Sequence, residues 1–309
     1  MEYKQSEMQS TINPSGAQSE MIRILLIEDN PGDAQLVQEM LNEAEGKTFR
    51  LERVDRLSEG LRLLTEEKFD LILLDLSLPD GQGLEMLEKV QACVRTTPVV
   101  LLTGTFEEEP IAIKALQSGA EDYLYKGNID SKLLVRSVRY AIERKRAEEQ
   151  QKILSTIMEA VHKSLDLEEV YNIALDMTVA LENVDMAMIY LVDADRKETI
   201  VQAQRNIPED YIRRAGRIPY PKGITWKVIS SGEIMNIGDA QKDPEIGPAG
   251  RDLGHHGVLG IPVTLEGRTI GVIWFFSYKE RKFSRHEVDF LSSIGNQVAT
   301  AIAKAKLYR

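Results

Sequence analysis

Between Met21 and Lys126 the chain alternates short apolar runs with amphipathic stretches, and this alternation limits the fold more than any other feature. The runs "MIRILLIE", "FRLERV", "DLILLD", "PVVLLT" and "EDYLYK" have strand length, whereas "DAQLVQEMLNEA", "SEGLRLLTEE" and residues 83 to 94 and 107 to 118 read as helices. Ser58 stands where the second helix would want its N-cap. Strand and helix in turn predict an α/β domain, a parallel five-stranded sheet with helices on both faces. If the order is the flavodoxin-like, doubly wound 2-1-3-4-5, ligands gather outside the carboxyl ends of the strands, where the order reverses.

Those ends carry the chemistry. The first strand ends in Glu28-Asp29, the third in Asp75, the fourth in Thr103 and the fifth in Lys126. A carboxylate closing the most hydrophobic run is costly to desolvate unless a cation or donors meet it. In the 2-1-3-4-5 order three carboxylates converge; Lys126 offsets one charge, and a hard divalent ion, Mg²⁺, would cancel the other two. The net charge of -11 fits a cation or a basic partner surface and argues against nucleic acid.

This set of strand-end residues resembles the receiver domain of bacterial two-component response regulators, over residues 21 to about 145. The resemblance implies that Asp75 accepts a phosphoryl group from a sensor histidine kinase or phosphotransfer protein. It also implies that Asp29 and Asp75 ligate Mg²⁺, that Glu28 acts through water, and that Ser77 lends its backbone carbonyl. Thr103 and Lys126 would contact phosphoryl oxygens, and Tyr123 would be the aromatic that turns inward as Thr103 moves. Gly104 leaves room beside Thr103 for a donor or a water. The family usually follows its lysine with a cis proline; here Gly127 follows Lys126, which leaves the isomer of that bond open. Two other uses of such a sheet lack their residues. "EDNPGD" is no G-x-G-x-x-G, and Ser77 stands where a haloacid-dehalogenase-type phosphatase needs its second Asp.

From Asp130 to Leu165 the chain has neither Gly nor Pro and reads as one connecting helix, with Asp130 or Ser131 as N-cap. Leu134, Val138 and Ile142 can pack on the sheet, residues 143 to 152 are too polar for core and are either a solvated connector or a short two-helix seam, and Ile153, Leu154 and Ile157 restore an apolar stripe. After the helical stretch "LEEVYNIALDMTVALENV" come strand-like runs "MAMIYLVD", "ETIVQAQ", "EIMNIG", "HGVLGIPVTLEG" and "TIGVIWFFSY", then a helix from Ser284 to about Leu307. Glu266-Gly267-Arg268 marks a tight hairpin. This order predicts an α+β domain, an antiparallel sheet with helices on one face.

"GITWKVISSGE", "HHGVLGIPVTLEGRTIGVIWFF" and "FSRHEVDFLSSIGNQVATAIAKAKLY" resemble GAF domains, the sensing and dimerising modules of signalling proteins, over residues 150 to 309. The resemblance implies a homodimer and a small-molecule pocket near Tyr190, Trp226, His256, Trp274 and Phe276; plain core is the other reading of those residues. Bilin-attaching members use a cysteine, which this half lacks, and the Asn-Lys-x-x-x-Phe-x-x-x-Asp-Glu motif of the cyclic-nucleotide subclass is absent.

The chain thus divides into a polar tail at 1 to 20 expected to be disordered, a receiver core at 21 to 129, the helix at 130 to 165 and a GAF domain at 166 to 309. No apolar run has the length of a membrane span, and the single Cys93 fits a reducing cytoplasm. No kinase, cyclase or hydrolase motif is present, so the expectation is a non-enzymatic regulator whose only chemistry is self-phosphorylation and autodephosphorylation. The alternative is the sensory front of a larger histidine kinase or other effector enzyme whose catalytic part lies beyond Arg309.

Overall fold

The computed structural model describes residues 21 to 307 except 45–48, 105–108, 165 and 182, so the tail and the expected helix end at Leu165 lie outside the described residues. Two compact units divide at 149/150.

The first unit runs β1 (Ile22–Ile27), α1 (Pro31–Asn42), β2 (Phe49–Val54), α2 (Leu57–Glu66), β3 (Leu71–Asp75), β4 (Ser77–Leu78), β5 (Gly81–Gln82), α3 (Leu84–Cys93), β6 (Val99–Thr103), α4 (Glu109–Gln117), β7 (Asp122–Tyr125) and α5 (Ser131–Lys163). The main sheet is parallel in the order β2-β1-β3-β6-β7, the expected doubly wound arrangement; β4 and β5 form a separate two-residue ladder. The central strands β1, β3 and β6 are apolar on both faces because both faces are covered, whereas the edge strand β2 keeps Arg50, Glu52 and Arg53. In β1, Leu25 and Ile27 join a core with Leu63, Met86 and Val90 of α2 and α3, while Ile24 and Leu26 join one with Val37, Leu41, Leu134 and Val138 of α1 and α5. Each such side chain contributes roughly 1.5–3 kcal/mol by leaving water.

Two helix starts are instructive. Asn30 caps α1, its Oδ1 accepting from Gly32 N at 2.9 Å, with Pro31 at the first helical position. Ser58 does not cap α2, contrary to the sequence expectation. It lies inside the helix, and Leu57 N and Ser58 N donate instead to the Asp80 carboxylate at 2.9 and 3.0 Å. Burial pushes the Asp80 carboxyl up, but those amide donors outweigh it and hold the pKa below the ordinary value.

Helix α5 begins as expected, with Asp130 Oδ1 accepting from Leu133 N at 2.7 Å. Leu134, Val138, Ala141 and Ile142 belong to a first-unit core, whereas Ile157 and Val161 belong to a core of the second unit.

The second unit continues with α6 (Leu167–Val179), β8 (Met186–Asp193), β9 (Glu198–Arg205), α7 (Glu209–Ala215), β10 (Arg217–Pro219), α8 (Gly223–Ser231), β11 (Met235–Ile237), α9 (Pro248–Arg251), β12 (Gly257–Leu265), β13 (Arg268–Ser277) and α10 (Arg285–Leu307). Its six-stranded antiparallel sheet has the order β10-β9-β8-β13-β12-β11. Between β12 and β13, Glu266 and Gly267 take φ of 51° and 77°, the left-handed pair of a two-residue turn. One face packs on α6 and α10. The other is covered as well, by Val228 of α8 and by Ala240, Ile246 and Leu253 of the segment leading to β12. The expected helices thus lie on one face, and α8 adds one to the other. Among the described residues no helix is long and apolar enough to cross a membrane.

Candidate functional site

At the carboxyl end of the parallel sheet the chain must turn after each strand, so Glu28, Asp75, Thr103 and Lys126 arrive at one edge. Lys126 is the hub. Its Nζ lies 2.7 Å from Asp75 Oδ2, 2.6 Å from Glu28 Oε2 and 2.9 Å from Asp33 Oδ2. Burial alone would lower the lysine pKa, but the bonds to Asp75, Glu28 and Asp33 raise it overall, so the ammonium stays charged. It opens a 3-10 turn at Lys126–Asn128, and the Lys126–Gly127 bond is trans, which settles the isomer. A Cβ on Gly127 would meet the Tyr125 ring at 2.6 Å, so glycine is what lets this ring lie there.

The acids differ in setting. Glu28 is fully buried, and its Oε1 accepts from Asn30 N at 3.1 Å. Its Oε2 touches the Lys126 ammonium without a well-aligned hydrogen bond. Desolvation, then the Asp75 charge, against the pull of Lys126, push its carboxyl up to about 7. Asp75 is 4% exposed, its Oδ1 accepting from Ser77 N at 3.0 Å. Asp29 is exposed, its backbone carbonyl tied to Arg53 at 2.9 Å. Oxygens of Glu28, Asp29 and Asp75 all lie within 4.8 Å of one another. Thr103 is buried and its Oγ1 reaches the Leu124 carbonyl at 3.4 Å, while the partly buried Tyr123 packs against the core under α2 and α3. The space beside Gly104 is open to a Cβ.

Every strand-end residue expected from sequence is thus at this edge. Asp33 was missed: in "NPGD" it reads as part of a capping turn, and only the first turn of α1 brings it to Lys126. A hard divalent ion suits the donor set, because Glu28, Asp33 and Asp75 share one ammonium, Asp29 stands beside Glu28 and Asp75, and the buried Oε2 of Glu28 has only that poorly aligned ammonium against it.

In the second unit Tyr190, Trp274 and Phe276 are 1%, 2% and 5% exposed on the sheet face under α8, and Trp226, 7% exposed, is carried by α8 itself. The Tyr190 hydroxyl donates to the Ala215 carbonyl at 2.6 Å, Trp226 Nε1 to the Ile218 carbonyl at 2.9 Å and Trp274 Nε1 to Thr225 Oγ1 at 3.2 Å. His256 is a correction. Its ring is 37% exposed and pairs with Asp239, and it is the neighbouring His255 that is buried, 4.6 Å from the Phe276 ring. Two adjacent residues entering a strand face opposite ways, so one of the pair had to point outward.

Comparison with known proteins respects the same division. Residues 24–139 match the response regulator receiver domain model and residues 164–303 match a GAF domain model. The cell cycle transcriptional regulator CtrA of Caulobacter vibrioides is 38% identical over 105 residues, 34% of this chain and 44% of the relative. The cell cycle response regulator CtrA of Brucella ovis is 33% identical over 135 residues, 44% and 56% of the two chains. The chain therefore spans about half the length of the curated relatives it matches. Among solved structures, the GAF domain of a phosphoenolpyruvate-protein phosphotransferase from Coxiella burnetii is 22% identical with a TM-score of 0.47, over 52% of this chain and 97% of that one. A free methionine-R-sulfoxide reductase from Neisseria meningitidis is 16% identical with a TM-score of 0.45, over 52% and 92%.

Proposed function

Because the chain carries a response regulator receiver domain followed by a GAF domain, we propose that it is a phosphorylation-dependent regulator of a two-component phosphorelay. Asp75 takes the phosphoryl group from a sensor histidine kinase or phosphotransfer protein, and the acyl phosphate modulates the GAF domain. The observation that carries this reading is the bond of 2.7 Å between Asp75 Oδ2 and the triply held ammonium of Lys126. An Asp75 oxygen attacks phosphorus as the bond from phosphorus to the donor imidazole nitrogen breaks and its electron pair leaves with the imidazole. Lys126 exchanges the aspartate oxygen for a phosphoryl oxygen, keeping the charge matched. Thr103 leaves the long contact to the Leu124 carbonyl to donate to another phosphoryl oxygen, and Tyr123 turns into the space vacated. Asp29, Asp75 and the Ser77 carbonyl would hold Mg²⁺, Glu28 acting through water; when bound, the ion neutralises charge on the phosphoryl group.

The regulator works in the cytoplasm, as a homodimer through its GAF half, with a small molecule as the GAF input. Its output is by contact rather than by catalysis. Treatment with acetyl phosphate and Mg²⁺, and then intact-mass measurement, tests the assignment. One added phosphoryl group is expected, absent without divalent ion and absent in Asp75→Asn; equal labelling of the variant would sink it.

A further inference from the structure

Away from the strand-end acids, the second unit gathers another set of metal-ligating side chains. Asp239 follows β11, His256 precedes β12 and Glu280 follows β13, and one ligand atom of each lies within 4.8 Å of the others. The Asp239 carboxylate is nearly buried, 11% exposed, and its Oδ1 lies 2.9 Å from His256 Nδ1. Its Oδ2 is closed off from solvent and has no well-aligned hydrogen bond. What meets that oxygen is a cation: Lys242 Nζ lies 2.7 Å from Asp239 Oδ2 and 3.3 Å from Glu280 Oε1. The lysine side chain is 74% exposed, so releasing it to water costs little.

We propose that Asp239, His256 and Glu280 form a site for a first-row divalent metal ion, zinc above all, which displaces the Lys242 ammonium. One imidazole nitrogen and two carboxylates with a water in the fourth position are a zinc donor set. The charges agree, since two carboxylates with Lys242 leave one negative charge, and the same carboxylates with a divalent ion leave none. Binding through Nδ1 requires the imidazole proton on Nε2, and the ring is open enough to water for that exchange. Magnesium, which prefers oxygen ligands and six-fold geometry, fits this set poorly.

The site lies at the two ends of the segment Asp239–His256, whose Ala240, Ile246 and Leu253 cover the face bearing Tyr190, Trp274 and Phe276. Ala240 N already donates to the His256 carbonyl at 2.7 Å. A metal on Asp239 and His256 staples the base of this cover and holds it closed, so the ion governs access to the aromatic face. The inference is independent of Asp75.

Calorimetric titration of the full chain with Zn²⁺, in excess Mg²⁺ to occupy the acids of the first unit, tests the proposal. One Zn²⁺ per chain is expected, with slower hydrogen exchange across residues 239 to 256. His256→Ala and Glu280→Gln should each weaken it by about tenfold or more, since loss of even an outer-shell partner costs about 10–100-fold. Lys242→Met, at an exposed position, should tighten it, and the exposed His286→Ala should leave it unchanged. Zinc binding weaker than about 1 mM, or zinc binding indifferent to His256, Glu280 and Lys242 alike, overturns the site. If His256→Ala fails to fold, the response of Lys242→Met decides.

Discussion

At the edge of the parallel sheet Glu28, Asp33 and Asp75 share the ammonium of Lys126 and Asp29 stands beside Glu28 and Asp75, whereas at α8 and the sheet face beneath it the polar tips of Trp226, Tyr190 and Trp274 each end on a partner within their own unit. The first arrangement is incomplete without another cation; the second is closed at those three tips, and beside Phe276 the buried His255 keeps ring nitrogens without a hydrogen-bond partner among the described residues. A site that needs something from outside announces itself by unbalanced charge, and a face whose tips are satisfied reads as core whatever its family uses it for. This is why the receiver residues support a chemical proposal and the aromatic residues of the GAF half support only a place.

The contrast can be broken most severely at Lys126. Lys126→Ala leaves three carboxylates facing one another and should cost about 3–5 kcal/mol in metal-free urea unfolding, the usual loss on stripping one partner from a buried ion pair. Mg²⁺ should restore part of it, because the ion ligands remain; the same rescue should fail in Asp29→Ala. A Lys126→Ala protein as stable as the parent without metal would mean the charges are not in contention.

A smaller effect belongs to Glu28. With its folded pKa raised to about 7 from 4.5, the folded state holds a proton that the unfolded chain releases. Metal-free stability should therefore be highest below about pH 4.5 as far as this group is concerned, and should fall as pH rises through about 7, by roughly 3 kcal/mol in all. Saturating Mg²⁺ should flatten that fall, and Glu28→Gln should abolish it. Thermal melts across this range in both conditions check the sign. On the closed side, Thr225→Val keeps the shape but leaves Trp274 Nε1 without an acceptor, and should cost about 1–2 kcal/mol with or without divalent ion. A dependence on Mg²⁺ there would blur the distinction between the two faces.

The strands were legible because β3, β6 and, from Ile24 on, β1 are continuous apolar runs, the mark of strands covered on both faces, and each run stops at a polar residue at the edge where the acids and Lys126 meet. What escaped the sequence reading depends on contacts distant in the chain or on elements too short to show a period. Asp80 caps α2 from 22 to 23 residues away, so the local candidate Ser58 looked sufficient. Asp33 doubles as helix start and lysine partner, and only the first use has a local signature. The pair β4 and β5 has two residues per strand, a single alternation with no repeat to show. His255 and His256 are chemically identical neighbours, and composition cannot say which one a strand turns inward.

Helix α5 carries a consequence for how the chain can change its length. Within its polar middle Arg144 and Lys145 stand over the buried Glu121 carboxylate at 3.3 and 3.8 Å, whereas residues 146 to 152 accept most substitutions that keep the helix, because no core depends on those side chains. An insertion there is a different kind of change, since each added residue lengthens the helix by about 1.5 Å and turns its own later side chains by about 100° about the helix axis. The stretch is permissive in its letters, while their number sets the length and phase of the helix, as pitch belongs to a screw whatever it is cut from.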